Sequence, residues 1–331
     1  MDPVTHITSG ALMARAFRGT FPGRLAAFFI ILAAWIPDID NFVGLSPEQY
    51  LLYHRGITHS VFGAVVQALV LAGVWKLFRR DVSAMRALAA MYGAIMLHIF
   101  LDLITSYGTQ LLAPFSDTRF EIAGVFIIDP FYTLTMLALL VASIRSRNCA
   151  RRLGVIGLAF VIVYPLCCIG VKNTVQTMVP SLLRQHNVAY QSATVTTDPF
   201  SPVYWKLIVD DGERIRVASI CVLTAAEDDL TFTDFEKADR SVLARLGEKV
   251  SMFRTWNWFA AWPVVARSTR SPEQVLTFTD ARFYSNNPVL RRLIGERDAP
   301  FALEAVLAPD GTLLEYTYDS PGNGKDEPHT P

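Results

Sequence analysis

Long apolar runs separated by short polar stretches fill the first half of the chain and give out after Val171. In Pro3–Arg18 the apolar positions Ile7, Ala11, Leu12, Met13, Ala16 and Phe17 predict a helix starting near Asp2 or Thr5. Gly19–Arg24, with Pro22 and Gly23, reads as a turn, and Leu25–Ile36 as a second short helix stopped by Pro37. Neither reaches the about 20 residues that a bilayer crossing needs. As the arms of a hairpin, each about 20 Å long, they place His6 beside Asp38 and Asp40. Four longer runs follow, Ser60–Phe78, Leu88–Thr105, Val125–Ile144 and Leu153–Val171, each read as a membrane span. Gly108–Glu121 is a polar connection between the second and third.

Beyond Val171 the pattern shortens to that of a soluble domain. Tyr204–Val209, Ile215–Leu223, Val275–Phe278 and Leu303–Ala308 read as strands, with turns at Asp210–Gly212 and Asp310–Gly311. Ser241–Glu248 and Pro288–Leu293 read as short helices. Trp256, Trp258, Phe259 and Trp262 form an aromatic cluster suited equally to a membrane interface or to a core. The expected fold is therefore an all-α polytopic membrane domain (1–171), a C-terminal α+β extracytoplasmic domain (172–319) and a disordered tail (320–331).

Composition sharpens this. The 331 residues are 52% hydrophobic and 18% charged, below the roughly one quarter charged of soluble domains, and mean hydropathy is +0.31. A net charge of +0 gives no support to a nucleic-acid partner. The N-terminus lacks the basic region of a cleavable signal peptide. Cys149, Cys167, Cys168 and Cys221 form neither a disulfide framework nor a CxxC knuckle. Arginines orient the spans. Arg79, Arg80 and Arg86 follow the first span, and Arg145, Arg147, Arg151 and Arg152 follow the third, so these loops are expected in the cytoplasm. Alternation then puts His6, Asp38–His59, the end of the His98 run, Asp129 and the C-terminal half on the outer side of a plasma membrane.

The chemistry concentrates in Trp35–Ser60, which sets Asp38, Asp40, His54 and His59 between two apolar segments. Ionisable groups at a membrane border are costly and usually mark function, and aspartate with neutral histidine is a ligand set for zinc or a similar divalent ion. His98 and Asp102, spaced i and i+4, share one face of a helix and can bind one ion. The alternative is a polar pair that ties two helices together. Asp40 is favoured over Asp38 as a direct ligand, with Asp38 serving a second ion or orienting the first. His54 and His59 can both bind metal, or one of them can transfer protons. Arg55 suits an anion clamp, or a salt bridge to Asp38, Asp40 or Glu48. Asp129 begins a span on the same side and joins the candidates. His186 and His329 have no partners in the sequence and carry no weight. Such a site can activate water for hydrolysis, and no P-loop or GxGxxG competes with it.

The stretches MDPVTHITSG, PDID, HRGITHS, HIFLDLITSYGTQLL, PFSDTRF and IIDP, in that order, resemble the YdjM-type membrane-bound metal-dependent hydrolases over about residues 1–145. The resemblance implies an inner-membrane protein whose polar set is His6, Asp38, Asp40, His54, His59, His98, Asp102 and Asp129. A fainter similarity, in the order His6, Asp40, His54, His98, Asp102, is to the zinc-dependent phospholipase C and P1 nuclease group, whose later HxxxE this chain lacks. The function expected is metal-dependent hydrolysis of an ester or phosphoester in a lipid or cell-envelope molecule. It would use one or two divalent ions, zinc or manganese, with Arg55 and His59 as catalytic groups and His6, Asp38, Asp40, His54, His98, Asp102 and Asp129 as ligands. Membrane lipids are the expected partners. A divalent-cation transporter and a scaffold with a structural metal are the other classes. A transporter predicts polar residues at several depths, whereas these cluster near one face.

Overall fold

The computed structural model describes the chain except residues 147, 225–229, 296–298, 321–323, 326–327 and 331. Arg147, counted above in the basic loop, lies outside the described residues, as does part of the tail expected to be disordered. The chain divides into two compact units. One comprises Met1–Gly44, Tyr53–Lys172 and Phe200–Pro202, and the other Leu45–Leu52, Asn173–Pro199 and Val203–Pro331.

The first unit is helical. Helix α1 (Pro3–Ala16) starts where the sequence predicts. Asp2 accepts a hydrogen bond from the Thr5 N–H at 3.0 Å, and Pro3 occupies the first turn, where its missing N–H costs nothing. Helix α2 (Arg24–Ala33) does not end the apolar run. It bends by 59° into a 3-10 helix, Ile36–Phe42, which carries Asp38 and Asp40. The two arms meet at Gly10, where an added Cβ would stand 2.6 Å from the Ala34 Cβ. That absent side chain is what lets α1 lie against the end of α2.

Helices α4 (Val61–Phe78), α5 (Ala84–Leu103) and α7 (Ala150–Gln185) are each long and apolar enough to cross a membrane. The bent pair Arg24–Ala33 and Ile36–Phe42 counts as a fourth candidate. Ser60 and Ser83 cap α4 and α5 by accepting from Gly63 and Arg86 N–H groups. The run expected as a span over Val125–Ile144 is shorter. Asp129 caps α6 (Pro130–Arg145) at the Tyr132 N–H, and Pro130 opens it, so helix begins only there. Helix α7 runs well past Val171, over 36 residues. That is about 54 Å of helix, against roughly 30 Å of hydrocarbon.

The second unit also takes in α3 (Pro47–Tyr53) as far as Leu52. There the Glu48 carboxylate accepts from Ser251 Oγ and Thr255 Oγ1, each at 2.8 Å. Most of the unit is one antiparallel sheet. Strands β1 (Ser192–Thr197), β2 (Tyr204–Asp210), β3 (Arg214–Cys221), β4 (Thr233–Lys237), β5 (Pro263–Arg270), β6 (Glu273–Asp280), β7 (Leu303–Leu307), β8 (Leu313–Ser320) and β9 (Gly324–Lys325) pair in chain order. Between β4 and β5, α8 (Arg240–Lys249) and α9 (Ser251–Phe259) pack on each other, α9 sets Phe253 and Trp256 against Phe278 of β6, and α10 (Pro288–Ile294) follows β6. Trp256 and Phe259 are buried, and Trp256 Nε1 donates to the Phe301 carbonyl at 2.7 Å. Within the aromatic cluster these two residues therefore belong to the core. In the tail, His329 exchanges backbone hydrogen bonds with Tyr316.

Gly10→Ala is expected to cost about 1–3 kcal/mol through overpacking at the hairpin crossing and to lower the melting temperature in detergent. Gly73→Ala, where an added Cβ meets nothing within 4 Å, is the control. It should leave stability unchanged or raise it by about 0.5–1 kcal/mol.

Candidate metal centre

Four side chains from three segments converge. Asp38 comes from the 3-10 helix after α2, His59 from the turn before α4, and His98 and Asp102 from one face of α5, one turn apart. One ligand atom from each lies within 4.8 Å of all the others, and all four residues are buried. The His59 and His98 Nε2 atoms face each other at 3.1 Å. Asp102 Oδ2 lies 3.1 Å from the first and 3.3 Å from the second. Asp38 Oδ1 is 3.5 and 3.7 Å from them. Four ligands at about 2.0–2.1 Å around a tetrahedral ion are separated by roughly 3.3–3.4 Å. These spacings fit that figure.

The outer nitrogens of both rings are fixed. His98 Nδ1 lies 2.8 Å from the Ala34 carbonyl, which can only accept, so Nδ1 carries the hydrogen. His59 Nδ1 lies 2.9 Å from Thr58 Oγ1, whose own hydrogen goes to Asp40 Oδ2 at 3.1 Å, so this Nδ1 donates too. Both Nε2 lone pairs therefore point into the space between the carboxylates. Two lone pairs cannot face each other at that distance without a cation or a proton between them. Asp102 Oδ2, buried and facing the same two nitrogens, accepts no hydrogen bond from any other group. The donor set fits a divalent ion.

Asp40, favoured as a ligand from the sequence, stands outside this set. It accepts from the Arg55 N–H at 3.2 Å, from Thr58 Oγ1, and from His54 Nδ1 at 3.2 Å, and so organises the turn that presents His59. Arg55 takes a positive φ of 56° to make this contact, an uncommon backbone for a side chain of its size. Asp38, not Asp40, is the carboxylate that the 3-10 helix turns into the set.

His54 likewise lies beside Asp40 and not among the four. His6 is fully buried, stacked 3.7 Å from His98, with Nε2 3.4 Å from Asp102 Oδ1, and neither ring nitrogen makes a hydrogen bond. The hairpin brings it to the cluster's edge but not into the four. Asp129 is engaged elsewhere, accepting from the Tyr132 N–H and, at 2.8 Å, from Tyr164 OH. Arg55 pairs with Asp102, its Nη2 2.9 Å from Oδ1 and its Nη1 on Thr105 Oγ1, rather than with Asp38, Asp40 or Glu48. Its guanidinium and that of Arg119 flank the Tyr107 ring at 4.9 and 5.3 Å. The sequence assigned no site role to Thr58, Thr105, Tyr107 or Arg119. The HRGITHS, HIFLDLITSYGTQLL and PFSDTRF stretches contain them, with no spacing rule to mark them.

The family described as YdjM inner membrane protein matches residues 1–175. The chain belongs to that family. The match takes in every residue of the cluster and the three candidate spans as far as the middle of α7. The chain is also similar to a Bacillus subtilis (strain 168) protein named "Uncharacterized protein YfhP", 27% identical over 146 residues, 42% of this chain. It spans 45% of that relative's length. No solved structure matches.

Burial works against a charge on His59, but its contacts with the Asp102 and Asp38 carboxylates outweigh that and lift its pKa to about 9. A metal ion must displace this proton. Zinc affinity of the metal-free protein is therefore expected to rise about tenfold per pH unit below about pH 9 and to level off above it. Chelator-competition titrations across that range measure it, and a flat profile would contradict it. Asp40→Asn should weaken zinc binding by about 10–100-fold, because the His59 orientation it supports relaxes.

Proposed function

We propose that this YdjM-family membrane protein is a metal-dependent hydrolase acting on an ester or phosphoester. What supports the reading most is the pair of Nε2 lone pairs converging with two carboxylates in a dry environment. A divalent ion held by Asp38, His59, His98 and Asp102, zinc before manganese given two imidazole donors, would act as a Lewis acid and bring the pKa of bound water towards 7.

The chain's own groups divide the remaining work. His59 and His98 are locked in one tautomer by Asp40 with Thr58 and by the Ala34 carbonyl, so neither is available to shuttle protons. His54 is better placed for that. It is backed by Asp40, its side chain is 10% exposed where His59 and His98 are 0%, and burial lowers its pKa, so it is neutral near pH 7. We assign the general acid/base role to His54 in place of His59. Arg55 neutralises Asp102 and holds the end of α5 to the turn before α4. Asp38 makes the longest contacts in the set and has the most exposed side chain of the four at 11%. It marks the side on which a substrate oxygen would approach.

One observation favours the structural-metal class instead. His59, His98 and Asp102 are almost wholly enclosed, as in a closed four-ligand site. Activity separates the two. Metal-loaded protein in detergent is expected to hydrolyse a chromogenic phosphodiester or ester, and His54→Ala to lower kcat by about 10²–10⁴-fold with metal content unchanged. A stably metal-loaded protein without activity on any such substrate would leave the scaffold reading.

A further inference from the structure

The cluster has a deep side and a shallow side. His6, His59, His98 and Asp102 are sealed, whereas Asp38, Asp40 and His54 retain small exposures of 6–8%. The only partial openings among these polar residues thus lie between the 3-10 helix and the turn that follows α3.

The chain neighbours of these three residues point the other way. Ile39 lies between Asp38 and Asp40, and Phe42 and Val43 follow after the exposed Asn41, the three apolar side chains having exposures of 41%, 71% and 61%. Tyr53 precedes His54 and Ile57 lies three residues after it, both about half exposed. Trp35 packs on Phe42 with ring centroids 5.6 Å apart. Both segments that carry the partly open polar residues thus also present large apolar side chains at the surface. A site for a water-soluble substrate would gain nothing from such a border. The lips continue the apolar surface of the bent α2 segment, itself a candidate for membrane insertion. Beside His54, Arg119 donates to the His54 carbonyl at 3.2 Å and shares the Tyr107 ring with the Asp102-paired Arg55.

We infer that the substrate is a membrane amphiphile with an anionic, phosphate-bearing headgroup. Its hydrocarbon chain rests against Ile39, Phe42, Val43, Tyr53 and Ile57, and its headgroup enters beside Asp38 and His54. This rests on the hydrolase reading and adds the substrate class and the direction of entry. The apolar border accepts the chain without first moving it into water, and Arg119, which donates to the His54 carbonyl, adds positive charge beside the opening. A soluble ester of the same headgroup lacks the contact with that border.

Binding tests this apart from turnover. The purified, metal-loaded protein in detergent is titrated with long-chain phosphatidate, with phosphatidylcholine of the same chains and with glycerol phosphate. The double variant Phe42→Ser, Val43→Ser is titrated alongside, with metal content measured for both. Both substitutions are at exposed positions, so the fold should persist. The wild type should bind phosphatidate about tenfold or more tighter than either comparison ligand, and the variant should lose about tenfold for phosphatidate alone with its metal retained. Equal affinity for glycerol phosphate and phosphatidate, or an unaffected variant, would overturn the proposal. Selective phosphatidate binding by protein that takes up no metal would uphold the mouth while removing the hydrolase reading.

Discussion

Two imidazole nitrogens, each turned inward by a hydrogen bond at its far side, meet at 3.1 Å beside two carboxylates. In an apolar surround this arrangement is unfavourable unless a cation completes it. A proton on His59 serves in the metal-free chain, and a divalent ion would serve better. Much of the first unit can be understood as meeting this constraint. The Ala34 carbonyl orients His98, and Asp40 with Thr58 orients His59. Arg55 balances the outer oxygen of Asp102, and its strained backbone turns its own N–H onto Asp40.

The supporting architecture follows from a few local choices. Gly10 brings α1 against Ala34, the residue whose carbonyl fixes His98. The bend after Ala33 converts a hydrophobic helix into a 3-10 segment whose buried side offers Asp38. Asp102 and His98 need no such device, because the i, i+4 spacing on α5 already aligns them. The site joins segments far apart in sequence, so disturbing the hairpin should be felt at the metal centre.

Much of this was legible in the sequence. The apolar runs located α1, α4 and α5 to within a few residues, and the i, i+4 pair and the acidic–histidine stretch named all four members of the cluster. What failed was assignment within the stretch. Two aspartates one residue apart do not say which turns inward, and the 3-10 helix after a 59° bend presents Asp38. Which of His54 and His59 joins the four depends on the turn between them, where Arg55 takes a positive φ that no composition rule foresees. Asp129 was misleading because an aspartate before proline is equally a ligand candidate and a helix cap, and here it is the cap. In the second unit, β1 and β4, reading SATVTT and TDFEK, are too polar for an apolar run to reveal, and only pairing with their neighbours makes them strands.

The claim that all of this turns on is that the four side chains bind one ion through the two facing nitrogens. X-ray absorption at the metal edge of zinc-loaded protein tests it most directly. One ion per chain is expected, with two imidazole nitrogens and carboxylate oxygens at about 2.0–2.2 Å, and with one imidazole fewer in His98→Ala. A protein that takes up no zinc, or a bound ion without imidazole in its shell, would contradict it.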